Sequence, residues 1–494
     1  MGAYLRLFGA VWTLTRNDAL LPVEADPFYP PGVRVLARAL RLGAPRRSGR
    51  PGERMARSLE TLGPVAIKVG QLLSTRGDIF GPGFAEDLGR LKDRLAPFPL
   101  ALARAEVERE LGRPLEAVFQ TFGEAVAAAS LAQAHEATLL DGRRVAVKVL
   151  RPGIAQRVEA DSDALRLAAR LLERWAPLAR RLEPVALAAT VIRSTKLELD
   201  LRLEAAGADE LAEIMAANSY MAAPKVIWEG VGKRCLTMEW ARGMALSNAA
   251  ALEQPGLDRK ALADNLTRAF LAQALDHGVF HADLHEGNLF VAAPDRIFAV
   301  DFGIIGRLGA MERRYLAEIL WGFLRRDYIR VAQVHFDAGY VPAHHSVAAF
   351  AQALRAVGEP VFGRAANAVA MSRVLTQLFE ITALYEMRLR PELVLLQKTM
   401  MTVEGVARRI DPEHDIWAAA EPVVKRWIAR ELSPITRIKL FAGEAETAIR
   451  NIARMAAPVE VAPVPASATH SPLAWFAMGA ALAGATFLLA ALIR

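Results

Sequence analysis

In the stretch Phe280-His-Ala-Asp-Leu-His-Glu-Gly-Asn-Leu-Phe-Val291, Asp283 and Asn288 stand five residues apart, and Asp301-Phe302-Gly303 begins thirteen residues after Asn288. A carboxylate, an amide and a second carboxylate in that order suit work on phosphates. Asp283 can orient an attacking hydroxyl or water. Asn288 and Asp301 can supply the hard oxygen ligands that Mg²⁺ prefers when it is held against phosphate oxygens. Far upstream, Val145-Ala-Val-Lys-Val149 alternates about a lysine, which makes Lys148 the cation expected on the α- and β-phosphates. Asp-Phe-Gly alone is common and weak; the four residues in this order carry far more.

That order is the order of a protein-kinase catalytic core. It predicts an α+β, protein-kinase-like two-lobe fold. The phosphate loop is unlike that of an ordinary kinase, because Val126-Ala-Ala-Ala-Ser-Leu-Ala-Gln-Ala-His135 precedes Lys148 and no G-x-G-x-x-G is present. Glycine lets a backbone approach phosphate closely and adopt positive φ, and an alanine Cβ makes both harder. Taken alone, an alanine run forms helix. Between two strands it reads as a nucleotide loop of altered geometry.

The surrounding pattern must position these groups. Residues 1–118 read as a helical N-terminal extension. Within 58–73, Leu62, Val65, Ala66, Val69, Leu72 and Leu73 form one apolar stripe, and Lys68 and Gln71 neighbour each other off it. Pro64 starts or kinks that helix. Residues 119–243 read as an N-lobe with a helical insertion, a long helix over 154–182 and short strands at 225–228 and 234–240. Asp141-Gly142 marks a hairpin turn. The C-lobe is expected over 244–455, a proline-rich linker over 456–471, and a transmembrane helix over 472–493. Those 22 terminal positions carry no charge and would span about 33 Å as a helix.

The Ala-Ala-Ala-Ser loop, Lys68-Val-Gly-Gln71, Glu198-Leu-Asp200, His-Ala-Asp at 281–283 and Asp-Phe-Gly at 301–303 together resemble the UbiB family of atypical kinases, relatives of mitochondrial proteins needed for ubiquinone synthesis. The resemblance runs in order from about Arg54 to Pro412 and includes Thr402-Val-Glu-Gly405. It implies an N-terminal extension folded over the active site, with Lys68 and Gln71 where a peptide substrate lies in ordinary kinases and an acidic motif of Glu198 and Asp200 facing them. It implies MgATP as cofactor, with ATP hydrolysis or phosphorylation of a small or lipid-like substrate in support of ubiquinone biosynthesis. The nucleotide set is then Ala125, Val126, Ala127, Ala128, Ala129, Ser130, Leu131, Ala132, Gln133, Lys148 and Glu239. Asp283 is the catalytic residue, and Asn288 and Asp301 are the metal ligands.

Three departures stand out. His285-Glu-Gly-Asn288 replaces the frequent His-Pro-Gly-Asn, and one C-terminal apolar span replaces the two of many bacterial members. The glutamate that pairs with Lys148 lies far along the chain. Glu198 and Glu204 both qualify, and Glu204 is preferred, leaving Glu198 and Asp200 to the Lys68 helix.

Composition narrows the partners. The formal charge of +7 is too small and scattered for nucleic acid, and it suits an anionic bilayer surface. The family resemblance, rather than composition, implies quinone-biosynthesis enzymes, or isoprenoid and phenolic lipid intermediates, as the other partners. The single cysteine, Cys235, excludes an intrachain disulfide and reads as a strand core residue. There is no secretory signal, and Lys425, Arg426, Arg430, Lys439, Arg450 and Arg454 precede the apolar span. The expected location is therefore the cytoplasmic face of a bacterial inner membrane. Two rival readings are a metallohydrolase using His281-Ala-Asp-Leu-His285 and a nucleotide-gated, non-catalytic scaffold.

Overall fold

The computed structural model describes residues 2–20, 48–74, 80–89, 96–175, 182–362, 384–387 and 391–431, together with residues 35, 38, 91, 180, 377 and 381. Almost all of them belong to the first of two units, Met1–Ala429 and Arg430–Arg494.

Helices open the chain: α1 (Gly2–Arg16), α2 (Pro51–Leu62), α3 (Pro64–Leu73), α4 (Pro82–Gly89) and α5 (Leu100–Leu111). The apolar stripe over 58–73 is cut at Gly63, whose φ is +108°, and restarts on Pro64. Proline suits that first position because its fixed φ is helical and its missing N–H would have had no partner there. Leu59, Leu88 and Leu91 close a small core among α2, α3 and α4.

An antiparallel sheet follows in the order β1 (Phe119–Ala128), β2 (Ala132–Leu139), β3 (Arg144–Leu150) and β4 (Cys235–Glu239). Gly142, at φ +84°, turns β2 into β3. One sheet face packs on α5: Val145, Val147, Val149 and Cys235 meet Ala103 and Val107. The stretch before 119 is therefore divided, because α5 belongs with the sheet while α2, α3 and α4 form their own cluster. Successive strand side chains point to opposite faces, so burying the three valines turns Lys148 to the other face. Cys235 is a fully buried core residue whose thiol burial pushes up to about 12.

Among the described residues, three α-helices separate β3 from β4: α6 (Ile154–Trp175), α7 (Pro184–Leu197) and α8 (Leu201–Asn218). The single helix expected over 154–182 is thus shorter, and a second helix begins at Pro184. The strand expected at 225–228 does not form. Val226 makes an isolated bridge to Met238, and Trp228–Gly230 is a 3₁₀ turn. Along α8, Leu201, Ala205, Ala208, Leu211 and Met215 are buried at helical spacing and join the main core.

The second lobe holds β5 (Met244–Ala245), helix α9 (Arg259–Ala272), and the strand pairs β6 (Val279–His281) with β9 (Ile305–Arg307) and β7 (Leu289–Ala292) with β8 (Arg296–Ala299). Helices α10 (Ala310–Leu324), α11 (Tyr328–Asp337), α12 (Val347–Phe362), α13 (Pro391–Ile410) and α14 (Ile416–Glu431) complete it. Among the described residues no helix is long and apolar enough to cross a membrane. The linker at 456–471 and the span expected at 472–493 lie outside the described residues.

Candidate functional site

The turn between β6 and β7 carries Asp283 and Asn288. Asn288 is buried, and its amide nitrogen donates to the Asp283 carbonyl oxygen at 3.0 Å and lies 3.5 Å from Asp283 Oδ2. Directly before the turn, His281 is fully buried. Its Nδ1 accepts the Asp283 N–H at 3.1 Å, and its Nε2 lies 3.3 Å from the Val300 carbonyl oxygen. Burial also lowers the His281 pKa, keeping the ring neutral. With both ring nitrogens engaged by backbone, His281 has no lone pair to offer a metal. His285 uses its Nδ1 to accept the Gly287 N–H at 2.9 Å. The His281–His285 spacing that suggested a metallohydrolase is therefore a turn brace, and that reading is corrected. Gln273 also belongs to the brace, although its sequence carried no signal. It sits in a π-helical turn at the end of α9, and its Oε1 accepts the His281 N–H at 3.0 Å.

Lys148 Nζ donates to both carboxylate oxygens of Glu204, at 2.7 and 2.9 Å, and to Asp301 Oδ1 at 3.1 Å. Glu204 is therefore the partner, and Glu198 is not. Gly207, one turn beyond Glu204 on α8, packs against the Ile305 side chain. Phe302 is buried beside His281, with ring centroids 5.2 Å apart. Asp301 takes φ +62°, a strained conformation for a non-glycine residue, of the sort that collects at functional positions.

The charges in this cluster are unevenly placed. Burial alone would lower the Lys148 pKa, but the carboxylates of Asp301 and Glu204 outweigh it and hold Lys148 above its ordinary value. The Lys148 ammonium pulls Asp301 down to about 2 against burial. Glu204 is raised, because burial outweighs the pull of Lys148. The Asp301 side chain is nevertheless 50% exposed, against 9% for Glu204. Asp301 thus stays ionised and open to solvent, while Glu204 is walled in.

Lys68 on α3 pairs with Glu198 at the end of α7, at 2.7 Å. Gln71 makes no side-chain hydrogen bond among the described residues. Asp200 does not face Lys68. It caps α8, accepting the Arg202 N–H at 3.2 Å, and binds the Arg202 guanidinium at 2.7 and 2.9 Å. The helix start explains this, since the first amides of α8 need an acceptor and Asp200 is the residue before them.

The alanine segment is a hairpin. Ala125, Val126, Ala127 and Ala128 end β1, Ala129, Ser130 and Leu131 turn, and Ala132 and Gln133 begin β2. Ala134 stands opposite both Ala127 and Lys148 across the sheet, which sets the hairpin beside the lysine. The expected nucleotide set divides here. Val126 and Ala127 are exposed, whereas Ser130, Leu131, Ala132 and Gln133 are buried. The Gln133 side chain is bound to the Phe98 N–H at 2.8 Å and the Phe98 carbonyl at 3.1 Å. The Gln133 side chain is thus a buried brace, unlike the exposed Val126 and Ala127. Arg151, which sequence reasoning passed over, holds the turn by donating to the Ala129 carbonyl at 2.8 and 3.0 Å. Glu239 closes β4, where it pairs in register with Val145.

A lysine held by a helix glutamate, beside an Asp-Phe-Gly aspartate and an Asp/Asn turn under an antiparallel sheet, defines a protein-kinase-like domain. The comparisons with known proteins agree. The ABC1 atypical kinase-like domain matches residues 90–335 and the UbiB helical domain residues 354–415. A probable protein kinase UbiB of Marinobacter nauticus is 38% identical over 441 residues, covering 88% of this chain and 80% of the relative. Its counterpart in Pseudomonas paraeruginosa is 38% identical over 450 residues, covering 90% and 84%. The chain belongs to the UbiB family of ABC1 atypical kinase-like proteins. A solved structure of Rv3197 with erythromycin, from Mycobacterium tuberculosis, has the same fold at TM-score 0.52 and 22% identity, covering 79% of this chain and 98% of that one.

Proposed function

We propose that this chain binds MgATP and uses it, by hydrolysis or by phosphoryl transfer to a small or lipid-like acceptor, in support of ubiquinone biosynthesis. The observation that carries the reading is Lys148 bridging Glu204 and Asp301, because Glu204 fixes the ammonium beside the proposed metal ligand, where exchanging the longer Asp301 bond for a phosphate oxygen would set it on the nucleotide. The donor set also fits Mg²⁺. The Asn288 amide nitrogen is taken by the Asp283 carbonyl, which leaves its oxygen for a metal, and the Asp301 carboxylate is ionised and accessible. When bound, the metal would offset phosphate charge. Asp283, its main chain fixed by His281 and Asn288, would orient the attacking hydroxyl or water. Measuring MgATP binding, hydrolysis and transfer to quinone-precursor-like phenols tests the reading. Absence of MgATP binding would end it, and binding without turnover would favour a nucleotide-gated scaffold.

The Lys68–Glu198 pair and the alanine hairpin give one combined expectation. Lys68→Ala should uncover the substrate position while leaving the Lys148 cluster in place. Ala128→Gly should change nucleotide affinity or selectivity at a stability cost of about 1 kcal/mol or less. The double variant should show new phosphoryl transfer, including autophosphorylation, in a radiolabelled-ATP gel assay. Parental affinity with no new labelling would mean that neither segment acts on the site.

Residence at the bacterial inner membrane, with the catalytic domain on the cytoplasmic side, belongs to the same proposal. Deleting 472–494 should release a nucleotide-competent domain in fractionation, because an apolar span outweighs basic surface contacts of about 1 kcal/mol each. Retention on membranes would instead direct attention to α1, where Tyr4, Leu5 and Phe8 are each 67% exposed.

A further inference from the structure

The turn carrying Asp283 and Asn288 is gripped from outside by one helix. Thr399 is buried on α13, and its Oγ lies 3.1 Å from the Ala282 carbonyl oxygen and 2.8 Å from that of Leu395. Its single proton is thus shared between its own helix and the turn. Ten residues further along α13 stands Arg409, about 15 Å away at ~1.5 Å per residue. Arg409 forms an ion pair with Glu286, the first residue of the 3₁₀ turn Glu286–Asn288.

Backbone bonds tie the turn at its ends: Ala282 N–H to the Ile304 carbonyl and Val300 N–H to the Asn288 carbonyl. From Asp283 to Gly287, the polar ties to other elements among the described residues are the Asp283 N–H on His281 of β6 and the Glu286–Arg409 pair, and only the second reaches a helix. The other bonds there are internal to the turn. They preserve its shape, and the fully buried Leu284 anchors its base in the main core, which leaves the outer Glu286 end to the pair with Arg409.

We infer that Glu286 and Arg409 are a positioning pair, through which α13 sets where Asp283 and Asn288 stand. The inference rests on the proposed phosphoryl chemistry for its consequence, and on geometry alone for its existence. The side chains are 33% and 41% exposed, so the pair is screened and its effect is graded.

The experiment is a double-mutant cycle of Glu286→Gln and Arg409→Gln on the full chain, with two readouts. The first is amide hydrogen exchange at Gly287 and Asn288 in nucleotide-free protein, since both amides bond to His285. The second is the Mg²⁺ concentration for half-maximal ATP hydrolysis. Each single variant should speed exchange and raise the Mg²⁺ requirement, with KM for ATP unchanged, by about two- to fivefold. The double variant should be no worse than either single one, and high salt should narrow the gap to the parent.

Restoration gives a second arm. The charge-reversed pair Glu286→Arg with Arg409→Glu should recover both readouts. So should Glu286→Pro in the Arg409→Gln background. His285 is extended, at φ −86° and ψ 164°, and the Glu286 N–H has no acceptor among the described residues, so proline fits there and stiffens the turn. Additive single effects, or exchange no different from the parent, would overturn the inference. If the parent protein fails to bind or hydrolyse MgATP, the functional reading falls, and the exchange arm still decides the pair.

Discussion

Asp283→Asn should reduce single-turnover ATP hydrolysis by about 10²–10⁴-fold while MgATP affinity stays within roughly twofold, the range expected when a general base is removed but its site is kept. The structure makes this variant clean. Asp283 is fixed through its main chain, with its N–H on His281 Nδ1 at 3.1 Å and its carbonyl on the Asn288 amide at 3.0 Å. Both contacts survive the substitution, and asparagine fills the same volume. What is lost is the carboxylate, whose side chain is 36% exposed and 3.7 Å from His285 Nε2. Rapid-quench measurement with enzyme in excess over ATP separates chemistry from product release. An unchanged rate would remove Asp283 from the chemistry and leave it a structural residue.

Asp301→Asn should act on the other term. Calorimetry is expected to show the Mg²⁺-dependent part of ATP affinity falling about 10- to 100-fold, the size associated with losing a charged hydrogen-bonding or ligand group. The fold should persist because Lys148 keeps its shorter contacts to Glu204, at 2.7 and 2.9 Å. The pH dependence has a defined sign. Lys148 depresses Asp301 to about 2, so its charge contributes fully above the usual carboxylate range and is lost only as pH falls toward 2. Between roughly pH 6 and 8 the Asp301 contribution should therefore be flat. Equal affinities for parent and variant with Mg²⁺ would take Asp301 out of the metal site.

What could be read directly from the sequence was local chemistry. Asp283, Asn288 and Asp301 lie within nineteen positions, and their spacing alone suggested phosphate work. Lys148 was legible because the alternation of Val145, Val147 and Val149 dictates which way a strand lysine must point. Cys235 was legible for the same reason, as an apolar strand position. Pro64 announced a helix start, although the sequence did not disclose that Gly63 would separate two helices there.

Everything that depended on long separations waited for the tertiary structure. Glu198 and Glu204 are six residues apart and chemically alike, and only the seating of α8, with Gly207 against Ile305, delivers Glu204 to Lys148. The same seating makes Asp200 a helix cap, since the demand of α8 for an N-terminal acceptor is met at shorter range than Lys68. The Gln133 and His281 side chains are braces, because a buried polar side chain must be satisfied by whatever backbone the fold brings to it. Arg151, Gln273, Thr399 and Arg409 carried no signal, as their partners lie elsewhere in the chain. Chemical type and periodicity are properties of neighbouring residues and survive in sequence, whereas partner choice is set by which surfaces the packed core brings within hydrogen-bonding distance.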